Sequence, residues 1–231
     1  MKKLKWLNAS FGMSLSTLSD RLKKVRFDAA EDDTYGFRID ERKLDRISGV
    51  FVERETSYET ISLPSGEQYE EKHSRVLVTQ FVFSSASSLN LLLLDGPRRT
   101  IPFFNALGAA TEYKISLDSV DANILEWVVA LEKRVGSVRV LFLDCNGIQL
   151  SPTITGRFAF RGSEDVRAEM RRAVKGGKPS IESARCEILI DGAPHTIELF
   201  RSGTVKLNDR VLSTLAETVR ASLSDALGEA L

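Results

Sequence analysis

Three dipeptides constrain this chain most: Asp95-Gly96, Asn146-Gly147 and Asp191-Gly192, each set between apolar or alternating runs. A tight hairpin turn needs two positive-φ positions, and Asn or Asp followed by Gly accepts them with least strain. Strands joined this way are antiparallel. Amphipathic helical patterns follow, beginning near Ser119, Ser163 and Asn208, so strands and helices come in mixed runs. The expected fold class is α+β: mainly antiparallel sheet or sheets built from hairpins, with about four helices and room for two similar sub-modules. These would be an N-terminal module with a long hairpin (1–117) and a C-terminal module (118–231), sharing one body.

The strand pattern is most marked from Gly49 to Ser84. Its middle, Glu53 to Glu59, is polar on both faces, and the Pro64 to His73 stretch supplies turn residues and three glutamates. This reads as a long hairpin with a solvated tip. Leu89 to Leu94 and Thr100 to Phe104 read as a second hairpin around Asp95-Gly96, with four leucines buried on both faces. Val138 to Leu143 and Ile148 to Leu150 read as a third around Asn146-Gly147, followed by a strand over 153–161. Cys186 to Ile190 and Thr196 to Phe200 flank the turn at Asp191-Gly192, and Thr204 to Leu207 extends that sheet.

Four helices are expected. Residues 14–26 carry Leu15, Leu18, Leu22 and Val25 at helical spacing. Ser119 is the expected cap of a helix closed by Gly136, and Ser163 of one ending in Arg171, Arg172 and Lys175. Asn208 or Asp209 caps the last. The acidic connection over 28–34 reads as an exposed loop. The segments around Asp95-Gly96 and Asp191-Gly192 share an order of strand, turn, strand and helix, a weak structural pseudo-repeat.

Charge is balanced overall but segregated. Residues 1–26 hold seven Lys or Arg against one acid, whereas residues 27–71 hold thirteen acids against five bases. Neighbouring segments of opposite sign pair most simply with each other. Cys145 and Cys186, both inside expected strands, read as reduced and buried, which with the polar residues interrupting 1–16 leads to a cytoplasmic expectation. No apolar run has membrane length.

No motif for nucleotide hydrolysis, dinucleotide binding, a nucleophile elbow or zinc is present. No catalytic, metal or cofactor residue is assigned. Asp191 and Glu198 are the nearest approach to a metal-dependent nuclease pair, though the turn alone explains Asp191. The expected function is that of a non-enzymatic binding or assembly subunit, docking a protein partner or a second copy. Arg54, Tyr58 and Tyr69 on the long hairpin are its candidate partner-binding residues. The alternative is DNA or RNA binding through Arg98, Arg99, Arg171, Arg172, Lys175 and Lys178, because clustered cations at a tip and a helix end suit phosphate.

Overall fold

The computed structural model describes residues 1–28, 34–96, 99–151, 153–174 and 179–228. The fold is α+β, with strands paired antiparallel through hairpins and, among the described residues, five α-helices. Two compact units are present. One holds residues 1–8, 87–89 and 118–231, and the other residues 9–86 and 90–117.

In the first unit, strands β1 (Lys2–Phe11), β7 (Val138–Ser151), β8 (Ile154–Arg161), β9 (Ser180–Ile190), β10 (Ala193–Phe200) and β11 (Thr204–Leu207) run in the order β1-β11-β10-β9-β7-β8. β1 lies in a segment for which no strand was predicted. It is a strand because Leu4 and Trp6 alternate with lysines and face the core, while Lys2 through Lys5 pair with Leu207 through Thr204. At the β9–β10 turn, Asp191 (φ 51°) and Gly192 (φ 77°) are both left-handed, and Ile190 opposes Ala193, as the dipeptide predicts.

Helices α3 (Ile124–Val135) and α5 (Leu212–Ala226) pack together, and α3 lies on β9 and β7. Trp127, Leu131, Val219 and Leu223 of these helices, and Val140, Cys186, Ile188 and Ile197 of the sheet, are all fully buried. Trp127 Nε1 donates to Ser222 Oγ at 3.0 Å, so the indole is buried without losing its hydrogen bond.

Three local expectations change here. Asn146-Gly147 makes no hairpin: β7 runs through it, and Gly147 (φ 71°) serves a bulge between Cys145 and Ile148. A bulge and a tight turn both use a positive-φ glycine, so the dipeptide does not distinguish them. The helix expected from Ser119 starts later, because Asn123 Oδ1 accepts from the Leu125 and Glu126 N–H groups. The helix expected from Ser163 is α4 (Arg167–Ala173); Asp165, not Ser163, takes up the Arg167 and Val140 N–H groups. Asn208 caps a 3-10 turn over Asp209–Val211 that leads into α5.

The second unit places β2 (Tyr35–Arg42), β3 (Arg46–Ser62), β4 (Gln68–Ser84) and β5 (Leu91–Leu94) side by side in that order. Helix α1 (Leu15–Lys24) buries Leu15, Leu18 and Leu22, capped by Ser14. Strand β6 (Ile115–Asp118) follows α2 in the chain. Phe37, Phe51, Phe81 and Phe103 form an aromatic cluster with ring centroids 5.1–6.1 Å apart.

Phe103 comes from helix α2 (Ile101–Ala110), over residues expected to be a strand. Pro102 stands in the first turn, where its missing N–H costs nothing, and Phe103, Ala106 and Leu107 fall on one helical face. Asp95-Gly96 therefore leads from β5 to a helix, and the pseudo-repeat with Asp191-Gly192 does not hold. Leu91 and Leu93 are buried, whereas Leu92 and Leu94 are only half-buried. The expected loop over 28–34 falls at residues 29–33 outside the described residues.

Candidate functional site

Two features stand out from the folded units: an exposed ribbon and a cleft. In the ribbon, β3 and β4 pair without a bulge over seventeen residues each, from Arg46↔Ser84 to Ser62↔Gln68. At the root, Ile47, Phe51, Phe81 and Phe83 are buried. Beyond it, every residue from Glu55 to Val76 is exposed except half-buried Ile61. Eight opposed pairs at about 3.4 Å per residue make this stretch about 24 Å long.

Register assigns the ribbon's faces. Glu53, Glu55, Glu59 and Glu71 share one side with Ile61, Tyr69, His73 and Arg75. Arg75 bonds directly opposite Glu55, with Nε 2.6 Å from Oε2, and His73 Nε2 lies 3.4 Å from Glu59. That side keeps an acidic excess. Partial burial and the Glu55 charge hold the Glu53 carboxyl above its ordinary range. The opposite side carries Arg54, Thr56, Tyr58 and Thr60.

Arg54 and Tyr58 thus lie on one face and Tyr69 on the other. Arg54 sits over the Phe27 ring at 5.6 Å, and its N–H donates to Thr34. Tyr58 and Tyr69 are exposed. The pairing of β2 with β3 ends at Tyr35↔Glu53, so among the described residues the β3 edge over 56–62 has no neighbouring strand. No Lys, Pro or bulge guards that edge, the residues being Thr-Ser-Tyr-Glu-Thr-Ile-Ser.

The cleft lies wholly in the first unit. It encloses about 530 Å³, with Ile124, Met170, Val174 and Ile181 on its walls and Asp121, Arg171 and Arg201 at its polar side. Arg201 holds Asp121 through both carboxylate oxygens, one at 2.8 Å, and also donates to Ser180 Oγ. The guanidinium hydrogen bond keeps the Asp121 carboxyl below its usual range. The Ala122 N–H donates to the Arg201 carbonyl at 2.8 Å, fixing α3's approach to the strand end. Asp121, Asn123 and Arg201 were not singled out from the sequence. Eighty positions separate Asp121 from Arg201, and no local pattern joins them.

Of the candidate phosphate ligands, Arg171 and Arg172 are both exposed; Arg171 lines the rim of this cleft, and Arg172 bonds Glu169 at 2.7 Å. Arg99 is exposed in the other unit. Arg98, Lys175 and Lys178 lie outside the described residues. Glu198, with Asp191 the nearest approach to a metal-dependent pair in the sequence, is taken by Arg185 at 2.9 Å and Lys206 at 3.4 Å. Among the described residues no three His, Cys, Asp or Glu side chains converge on a metal position, and no helix is long and apolar enough to cross a membrane.

Compared with known proteins, the chain matches no family model and no curated sequence.

Proposed function

We propose that this chain is a non-enzymatic docking subunit whose β3–β4 ribbon engages a protein partner that lends a cationic extended strand to the free edge of β3. The observation carrying this reading is a paired ribbon about 24 Å long, exposed on both faces, beyond a buried root. An isolated two-stranded hairpin is marginal in water, so the distal ribbon contributes little to its own unit. Its open edge offers main-chain hydrogen bonds in the manner of strand addition. Charge selects the partner: residues 53–75 hold six glutamates against three Lys or Arg.

Because Glu55 and Arg75 are directly opposed, residues 56–74 can be replaced by Asn-Gly to close a short hairpin. A fluorescein-labelled peptide of alternating lysine and valine is the probe, followed by anisotropy. The intact chain should bind it, more weakly as salt rises, and the shortened chain should not. Equal binding by both chains refutes the proposal. So does a concentration-dependent dimer that requires the ribbon, since a second copy would then occupy the edge.

A further inference from the structure

The cleft of the first unit plays no part in ribbon docking, and its composition is that of a ligand site. Its volume of about 530 Å³ falls within the range of small-molecule sites, roughly 300–1,000 Å³. Four apolar side chains form the walls: Ile124 from α3, Met170 from α4, Val174 just after it, and Ile181 from β9. Each is under a tenth exposed. They come from separate elements, so the hollow is held by the unit's core rather than by one loop.

The polar side is uneven in its pairing. Arg201 is committed to Asp121 and Ser180, and to Glu182 at 3.6 Å. Arg171 lines the same cleft and, among the described residues, has no hydrogen-bond or ion-pair partner, while its neighbour Arg172 is held by Glu169. Among the described lining residues, one carboxylate and two guanidinium groups leave a single excess positive charge, located at Arg171. An unpaired guanidinium beside apolar walls suits a planar oxyanion on an apolar body, because its fork bonds two oxygens at once. Asp121, kept ionised by Arg201, opposes a second negative charge. The N-terminus of α3 adds a weak positive field.

We infer that this cleft binds a small organic monoanion, a carboxylate or sulfonate on an apolar body, with Arg171 taking the oxyanion and Ile124, Met170, Val174 and Ile181 enclosing the remainder. The space equals that of roughly 18 waters, enough for a medium-chain acyl or bicyclic aromatic body. A dianionic phosphate monoester is rejected by Asp121, and a neutral apolar molecule gains nothing from Arg171.

The test uses the full chain and 1-anilinonaphthalene-8-sulfonate, a monoanion with aromatic rings, titrated by fluorescence. Saturable binding at one site is expected, displaced by octanoate and not by inorganic phosphate or octanol. Arg171→Gln should weaken it at least tenfold. Arg172→Gln, an identical charge change one residue away and outside the cleft, should alter it less than twofold. A second variant, Val174→Trp, fills the hollow and should also abolish the signal while circular dichroism is retained. Equal effects of Arg171→Gln and Arg172→Gln, unchanged binding in Val174→Trp, or no saturable site below 1 mM would each overturn the assignment.

Discussion

Arg167 offers the sharpest test of the energetics. Its guanidinium bonds Asp165, with NH2 2.9 Å from Oδ2, and reaches Glu132 at 3.1 Å and the Val138 carbonyl at 3.1 Å. Asp165 in turn accepts from the Val140 N–H at 3.1 Å, so one group ties α3, α4 and β7. Removing one partner of a buried ion pair costs about 3–5 kcal/mol. The Arg167 and Asp165 side chains are 21% and 32% exposed, and solvent screening lowers the loss to about 2–3 kcal/mol. At about 2–4 °C per kcal/mol for a chain of this size, Arg167→Met should melt about 5–10 °C lower at pH 7. Methionine retains an apolar stem, so the loss is mainly ionic.

The pH dependence follows from Asp165. Partial burial pushes its carboxyl up, but hydrogen bonds from the Arg167 guanidinium and from two backbone N–H groups outweigh this and hold it below the ordinary range. A depressed folded value means the stabilisation is complete above the unfolded value of about 3.9 and is lost as the pH falls through the folded one. Melting curves of wild type and Arg167→Met should therefore converge below about pH 4. A difference under about 2 °C at pH 7, or one that stays constant into acid, would refute the ionic account.

Phe103 touches Phe37, Phe51 and Phe81, so Phe103→Ala should cost about 3–5 kcal/mol in urea titration; a loss under about 1 kcal/mol would show that the cluster collapses around the gap. Burial pushes the Cys145 thiol up to about 11, helped by Asp144, and the Cys186 thiol up to about 12. Ellman's reagent at pH 8 should accordingly titrate neither thiol in the native protein and both after denaturation, and rapid native labelling would contradict the burial of either.

The turn at Asp191-Gly192 and the ribbon from Gly49 to Ser84 were legible because each is set locally, by positive-φ residues in one case and by strand-forming runs flanking turn residues in the other. The α+β class followed from them. The amphipathic helices were legible too, since Ile124, Val128, Leu131 and Val135 repeat at helical spacing, although Asn123 rather than Ser119 caps theirs.

What the tertiary structure decided is where local preferences tie or where partners lie far apart. Ile101 to Phe104 satisfies strand and helix alike, and packing of Phe103 against Phe51 and Phe81 selects the helix. Asn146-Gly147 fits a bulge as readily as a turn, and the pairing of β7 with β8 across it chose the bulge. The chain order alone determined which surfaces carry charge, as in the acidic ribbon. Only the fold brought Arg171 to the same hollow as Asp121 and Arg201, because a cleft is a relation among separate elements and no stretch of sequence contains it.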